Sequence, residues 1–125
     1  MAVRAVVIDD SDDIRLLLRM ALGADGFEIV GEAVDGRAGI EVVAGHQPDA
    51  VILDVMMPVM NGLDALPEIR RVAPGTPVVL YSSVGTDEMD ERARDADAVV
   101  VKEAGVSRLA VTLREILARK VPSIL

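Results

Sequence analysis

The chain of 125 residues contains no cysteine and no tryptophan. Without cysteine it can form neither disulfide bonds nor thiolate metal sites, which fits a reducing compartment. Phe27 and Tyr81 are the only aromatic residues, so aliphatic side chains and methionine must fill the core. No apolar stretch approaches the roughly 18 residues of a membrane span, and the N-terminus lacks the basic-then-apolar pattern of a signal peptide. We therefore expect a cytoplasmic protein without membrane association.

Basic residues are also in deficit. There are 13 Lys and Arg against 21 Asp and Glu, which gives a net charge of −8. Because phosphate contacts by basic side chains dominate nucleic-acid affinity, this chain is not expected to bind DNA directly. Its acidity suits cations and basic partner surfaces instead. The length predicts one domain over residues 1–125, with the core fold in 1–120 and the start of a linker or C-terminal tail in 121–125.

Five short apolar runs, rich in β-branched residues, alternate with helical patterns along the chain. Such runs are typical of parallel strands that are buried on both faces. The predicted strands cover residues 3–8, 28–33, 50–53, 78–82 and 98–101. Short connections and right-handed crossovers then predict a doubly wound α/β fold, a (βα)5 three-layer sandwich around a parallel sheet. The strand order 2-1-3-4-5 is assumed from this fold class, since periodicity does not determine it.

The helices are predicted from caps and apolar spacing. Ser11 or Asp12 can cap the first helix. For the third, a late start or a kink is expected at Pro67: with Asp64 as the cap, Pro67 falls in the first turn, where no hydrogen bond is lost. Ser107 is expected to cap the last. The predicted helices end near residues 22, 45, 72, 96 and 119.

The fourth predicted helix begins after Thr86 and is thinly apolar. Met89, Ala93 and Ala96 are its main candidates for contact with the core.

Polar residues end four of the predicted strands. They are Asp9 and Asp10, Asp54, Ser82 and Lys102. The carboxyl ends of parallel strands share one edge, where open α/β sheets bind their ligands. Three carboxylates in one crevice repel each other, so either some are protonated or a cation holds them, and oxygen ligands alone favour Mg²⁺. The lysine and the hydroxyl suit a phosphoryl group, and an aspartate can serve as the nucleophile that accepts it.

Four motifs carry a resemblance that covers the whole chain. They read "VVIDDSDDIRLLL", "VILDVMMPVMNG", "PVVLYSS" and "VVVK". At this spacing the sequence resembles the receiver domains of two-component response regulators, the CheY-like family. The segment "EIVGEAVDGRAGIEV" further resembles the branch whose members often carry a helix-turn-helix output domain.

The resemblance implies a metal site and a phosphoacceptor. Asp54 would accept the phosphoryl group from a sensor histidine kinase or a histidine phosphotransfer protein. Asp10 would bind Mg²⁺, or Mn²⁺ in its place, directly, and Asp9 would assist through water. The backbone carbonyl of Met56 would be a further ligand. The protein would then be no enzyme in its own right, but a phosphoacceptor that assists its own phosphorylation and dephosphorylation.

The resemblance also implies a switch. Ser82 would donate a hydrogen bond to the phosphoryl group and Lys102 would pair with it. The face formed by the fourth predicted helix, the fifth strand and the last helix would then change its affinity for a downstream protein, an attached output domain or a second copy of the chain. Val99 stands where the family usually has a switching aromatic residue. Glu103 stands where proline is common, so we expect a trans peptide after Lys102. The negative charge of Glu103 near the site is also expected to weaken the affinity for the phosphoryl group.

Three other functions remain open from the residues. Val99, Glu103 and the thin fourth helix would also suit an interaction module that works without phosphorylation. A magnesium-dependent phosphatase with an aspartyl nucleophile usually has a second acid two residues later, but Met56 stands there. A flavodoxin-like cofactor binder would need a phosphate-binding loop and stacking aromatics, and neither is visible.

Overall fold

The computed structural model of the chain describes residues 2–84 and 91–120. Five strands alternate with helices. The strands are Val3–Ile8 (β1), Phe27–Ala33 (β2), Ala50–Leu53 (β3), Val78–Ser82 (β4) and Ala98–Val101 (β5). The α-helices of the described residues are Asp12–Gly23 (α1), Gly36–His46 (α2), Gly62–Val72 (α3) and Val106–Lys120 (α4). Within the same described residues, two short 3₁₀ helices cover Glu91–Asp95 and Lys102–Ala104.

The strands form one parallel sheet in the order β2-β1-β3-β4-β5, which confirms the expected fold class. Every pairing of neighbouring strands is parallel. Two hydrophobic cores lie on opposite faces of the sheet, one under α2 and α3 and the other under α1 and α4. The fold is therefore a doubly wound sandwich, and all strands end at the same edge.

Burial on both faces explains why the strands read as continuous apolar runs. All residues of β3 and β4 are buried. The helices cover them with aliphatic side chains, and each fully buried leucine or isoleucine contributes about 1.5–3 kcal/mol relative to exposure. The helical residues that are completely buried include Leu18, Leu22, Leu66, Ile69, Leu109 and Leu113.

Helix α1 begins as expected from one of the two candidate caps. The Ser11 side chain accepts a hydrogen bond from the backbone N–H of Ile14 at 3.2 Å. Asp12 and Asp13 occupy the first turn, where negative charge is favourable beside the helix dipole.

Helix α3 begins earlier than the sequence predicts. Asn61 is its N-cap and accepts from the backbone N–H of Asp64 at 2.9 Å, so the expectation that Asp64 caps the helix is wrong. Pro67 lies inside the helix, where its missing N–H leaves the carbonyl four residues earlier without an intrahelical donor. Packing offsets this cost, because one face of the helix is buried. The buried residues are Gly62, Leu63, Ala65, Leu66 and Ile69.

The last helix also starts before its predicted cap. It begins at Val106, so Ser107 lies in its first turn and the prediction that Ser107 caps it is wrong. The preceding 3₁₀ turn decides the start, because the backbone N–H of Gly105 donates to the Lys102 carbonyl at 3.1 Å. Gly105 has a φ of 89°, a left-handed conformation that glycine adopts without steric cost.

The fourth predicted helix falls partly outside the described residues, and so does Met89. Its described part is the 3₁₀ helix Glu91–Asp95, which ends before Ala96; an α-helix through Ala96 is therefore not formed. Ala93 is buried and Ala96 is partly buried against the core under α2 and α3, as expected. None of the described helices combines the length and hydrophobicity that a membrane span requires.

Candidate functional site

The register of the sheet places Asp9 and Asp54 side by side. Ile8 is opposite Leu53, and each aspartate is the first residue after its strand. The backbone N–H of Asp54 donates to the Ile8 carbonyl at 2.9 Å and fixes this alignment. Each aspartate also follows, by two positions, a residue of the core under α1 and α4, namely Val7 or Ile52. Because side chains alternate along a strand, both carboxylates belong to that side of the sheet.

Three carboxylates meet at this edge. Oxygen atoms of Asp9, Asp10 and Asp54 all lie within 4.8 Å of one another. Asp9 and Asp54 are buried, with 2% and 4% exposure, whereas Asp10 is exposed. A set of hard oxygen donors that opens to solvent on one side fits Mg²⁺ or Mn²⁺, which keep water in their coordination shell.

Lys102 is the cation of this cluster. It is the first residue after β5, and its Nζ lies 2.9 Å from Asp9 Oδ2 and 3.2 Å from Asp54 Oδ2. Its side chain is only 20% exposed. One ammonium group thus bridges the two buried carboxylates and offsets their mutual repulsion.

Ser82 and Met56 lie near the same edge. Ser82 ends β4, between the strands that precede Asp54 and Lys102. It is fully buried, and its Oγ accepts a hydrogen bond from the backbone N–H of Val84 at 3.3 Å. Met56 follows Asp54 by two residues in the next loop and is 65% exposed. The roles of Ser82 and of the Met56 carbonyl stay predictions.

The comparison with known families agrees with this arrangement. A family model described as the response regulator receiver domain matches residues 5–114. The chain belongs to this family. The receiver match includes every residue of the cluster just described.

Two relatives show how such receivers occur. The chemotaxis protein CheY of Thermotoga maritima is 33% identical over 118 residues, which cover 93% of this chain and 98% of that protein. The transcriptional regulatory protein PdtaR of Mycobacterium tuberculosis is 41% identical over 110 residues, which cover 85% of this chain and 52% of that protein. The receiver therefore spans nearly the whole of one relative and about half of the other.

Solved receiver structures share the fold. The response regulator TrrA of Thermotoga maritima, in complex with Mg²⁺ and BeF, has a TM-score of 0.81 at 30% identity; the match covers 97% of this chain and 100% of that chain. The signal receiver domain of the putative response regulator NarL of Mycobacterium tuberculosis has a TM-score of 0.85 at 28% identity, over 94% and 97% of the two chains.

The electrostatics of this receiver oppose the charge on Asp54. Burial raises the pKa of its carboxyl group above the usual value, and repulsion from Asp9 adds to this effect, while Lys102 opposes it. For Lys102, burial acts to lower the pKa, but the hydrogen bond to Asp9 and the negative charges of Asp54 and Asp9 outweigh it and raise the pKa. The lysine therefore stays charged at neutral pH, and the Asp54 anion would be stabilised by a further cation.

Asp54→Asn is expected to stabilise the metal-free protein. A carboxyl group with a raised pKa binds its proton more tightly when folded, so the stability it contributes is lost as pH rises through the folded pKa. Above that pKa its buried charge is unfavourable, and removing it should raise the free energy of unfolding by about 0.5–2 kcal/mol, the usual range of a single stabilising substitution. Urea denaturation in EDTA near neutral pH measures the gain, which should shrink on acidification.

The control for this variant is Asp95→Asn, the same chemical change at an exposed position. It should alter the free energy of unfolding by less than about 0.5 kcal/mol. An Asp54→Asn protein that is less stable than wild type in EDTA would contradict the electrostatic argument.

Sequence reasoning missed two residues of this region. Arg15 donates from Nη1 to the main-chain carbonyl of Asp9 at 2.7 Å; the one available signal was a cation within the apolar part of α1. Gly62 is required for space, because a Cβ there would lie 2.0 Å from the Asp54 carbonyl oxygen. No local pattern reports a contact of this kind.

The two departures from the family pattern can be placed. Val99 is partly buried and packs against the core under α2 and α3. The peptide after Lys102 is trans, since the described residues contain no cis peptide bond, as expected from Glu103. Glu103 itself is exposed.

Proposed function

We propose that this receiver accepts a phosphoryl group on Asp54 from a histidine kinase or a histidine phosphotransfer protein, in a magnesium-dependent reaction. The observation that carries the proposal is the Lys102 ammonium held between the buried carboxylates of Asp9 and Asp54, with the exposed carboxylate of Asp10 beside them. In this arrangement Asp54 would be the nucleophile and Lys102 the cation already in place, and the oxygens of the three carboxylates would bind the metal.

In the transfer, an Asp54 carboxylate oxygen forms a bond to phosphorus while the bond from phosphorus to the donor nitrogen breaks. Asp9, Asp10, Asp54 and the Met56 carbonyl would hold the metal. When bound, Mg²⁺ supplies charge neutralisation for the phosphoryl oxygens. The chain itself needs no turnover chemistry for this step, and we propose that it acts as a phosphoacceptor, not as an enzyme.

Lys102 and Ser82 would convert the new charge into movement. Once Asp54 carries the phosphoryl group, its own carboxyl oxygens become weaker acceptors, so the Lys102 ammonium gains more from the phosphoryl oxygens. The Ser82 hydroxyl is engaged as acceptor by Val84, and its own proton is available for donation to the phosphoryl group. Both contacts would draw the ends of β4 and β5 toward Asp54.

Magnitudes indicate that both contacts are needed. A switch from mostly off to mostly on requires about 5.5 kcal/mol of differential stabilisation. One charge-assisted hydrogen bond contributes about 1.5–3 kcal/mol, so neither Lys102 nor Ser82 suffices alone. The responding face would comprise the segment after β4, β5 and α4, and its partner a downstream protein, an attached output domain or a second copy of the chain.

Phosphorylation by a small donor tests the proposal. Intact-mass spectrometry after treatment with acetyl phosphate and Mg²⁺ should show one added phosphoryl group, and EDTA should prevent it. Asp54→Asn should abolish the label, because the nucleophile is gone. Asp13→Asn, a change at an exposed acid of α1, should leave it intact. Absence of added mass in the wild type, or a label that survives Asp54→Asn, would refute the assignment.

A second candidate is a receiver-fold interaction module that works without phosphorylation. The observation that favours it is Val99, an aliphatic residue where the family usually has a switching aromatic. Partner binding that is unchanged by Asp54→Asn and by a phosphoryl mimic such as beryllofluoride would support this candidate over the first.

A further inference from the structure

Arg15 joins three elements beside the carboxylate cluster. Its Nη1 donates to the main-chain carbonyl of Asp9 at 2.7 Å, and its Nε donates to Glu32 of β2 at 3.1 Å. Its Nη2 pairs with Asp12 in the first turn of α1. The side chain is only 13% exposed. A single guanidinium group therefore ties the end of β1 to α1 and to the neighbouring strand.

The remaining polar atoms of Asp9 are held as well. Its backbone N–H donates to the Ala33 carbonyl at 3.0 Å. Its Oδ1 accepts from the backbone N–H of Ser11 at 2.9 Å, and its Oδ2 pairs with Lys102. Together with the Arg15 contact, every polar atom of Asp9 has a partner, so Asp9 is fixed.

Asp10 is in the opposite situation. It is exposed, and within residues 2–84 and 91–120 no donor contacts its carboxylate. The direction of this side chain therefore depends on its backbone. The peptide plane that enters Asp10 carries the Asp9 carbonyl, and Arg15 holds that carbonyl.

We infer that Arg15 is a positioning residue for the cation site: by holding the Asp9–Asp10 peptide it keeps the Asp10 carboxylate beside those of Asp9 and Asp54. The inference rests on the proposed function in so far as that function requires Mg²⁺. A guanidinium group has no acceptor atom and cannot ligate a metal, so Arg15 would act only through the backbone of the residues that would bind it.

The sign of the effect separates positioning from simple electrostatics. Arg15 is a positive charge near the cluster, so charge alone would make its removal favour a cation. Positioning requires the opposite result, because a carboxylate that is free to turn away is a poorer ligand. Asp12 and Glu32 already offset the charge of Arg15, which weakens the purely electrostatic effect further.

Arg19 provides a matched control. It lies one turn further along α1, and its Nη1 donates to the same Glu32 carboxylate at 2.6 and 2.7 Å. It has no contact with Asp9, and its side chain is 45% exposed. Arg19→Ala thus removes the same charge from the same helix and the same partner, but leaves the Asp9–Asp10 peptide held.

The test is calorimetric titration of the metal-free full chain with Mg²⁺. Arg15→Ala should weaken the affinity about tenfold or more, the usual cost of removing a group that orients a metal ligand. Arg19→Ala should change it by less than about twofold, as expected for an exposed charge in salt. Arg15→Lys should give an intermediate loss, because an ammonium group keeps a donor but lacks the fork that reaches Asp9 and Glu32 together.

A second readout concerns the free protein. In the absence of metal, the backbone amide resonance of Asp10 should shift in Arg15→Ala and stay in place in Arg19→Ala, while circular dichroism shows that both are folded. If Arg15→Ala does not fold, Arg15→Lys carries the test.

If folded Arg15→Ala, or Arg15→Lys in its place, binds Mg²⁺ as tightly as wild type or more tightly, the inference is overturned and the proposed function still stands. A wild-type protein that takes up phosphoryl but binds no Mg²⁺ would overturn the inference together with the magnesium requirement. A wild type that does neither would overturn both the inference and the proposed function.

Discussion

Gly62→Ala is expected to lower the free energy of unfolding by about 3 kcal/mol or more, at the upper end of overpacking effects. The new Cβ would lie 2.0 Å from the Asp54 carbonyl oxygen, 2.9 Å from its carbonyl carbon and 3.0 Å from Val55 Cα. These are backbone atoms, which cannot rotate away as a side chain would. The start of α3 would have to separate from the end of β3, and urea denaturation followed by circular dichroism measures the loss.

The same change should impair the site. The backbone N–H of Gly62 donates to the Val55 carbonyl at 2.9 Å, so α3 is docked directly on the segment that carries Asp54. Any folded fraction of Gly62→Ala should therefore show slower phosphorylation by acetyl phosphate, because Asp54 is displaced from Asp9 and Lys102.

The matched control is Gly45→Ala. Gly45 lies in α2, and a Cβ there would have no atom within 4 Å. Alanine in a helix is favoured over glycine, so this variant should gain about 0.5 kcal/mol. Equal stability of the Gly62→Ala and Gly45→Ala proteins would show that the backbone at residue 62 can move aside.

Lys102→Met is expected to tighten Mg²⁺ binding and to slow phosphorylation. The Lys102 ammonium occupies the same carboxylate oxygens of Asp9 and Asp54 that a metal would use, so its removal frees them and leaves the pocket more negative. The phosphoryl group, however, loses a charged donor, and deletion of one such donor typically costs about 10²-fold or more in rate. Calorimetry with Mg²⁺ and timed mass spectrometry with acetyl phosphate measure the two effects.

The raised pKa of Lys102 sets the pH range of this comparison. A lysine with a raised folded pKa contributes its stability fully below its ordinary pKa of 10.5 and loses it only as pH rises through the folded value. Lys102 therefore stays protonated from about pH 7 to 9, and the differences in Mg²⁺ affinity and phosphorylation rate between wild type and Lys102→Met should stay constant over that range. Arg108→Met removes a charge from an exposed position of α4 and should change neither quantity. Weaker Mg²⁺ binding by Lys102→Met than by wild type would contradict the idea that the Lys102 ammonium and the metal compete for the same carboxylate oxygens.

Much of the architecture could be predicted from local sequence. Strands β1, β3, β4 and β5 have the predicted bounds, because each is an apolar run that contributes residues to the cores on both faces of the sheet and is closed by a polar or turn residue. The polar residues that end these runs were also visible, and parallel strands bring such ends to one edge. The strand order came from the fold class and was confirmed by the sheet.

The helix starts were less predictable. Asn61 and Asp64 are both good caps by residue type, and the choice between them depends on how α3 docks on Val55 and Asp54. The presence of Pro67 favoured the later start, but burial of one face of α3 outweighs one missing hydrogen bond. Ser107 fails as a cap for a related reason, because the turn from Lys102 to Gly105 starts α4 before it.

The sequence by itself determined which residues of this protein are buried strands and which acids and lysine end them, because burial and turn chemistry are written in patterns of a few neighbouring residues. Only the tertiary structure decided that Lys102 bridges Asp9 and Asp54, that Arg15 holds the Asp9 carbonyl and that Gly62 must lack a side chain. These contacts join residues that are far apart in the chain or on different elements. Their partners are set by strand register and by the distance at which helices pack on the sheet, which no local pattern specifies.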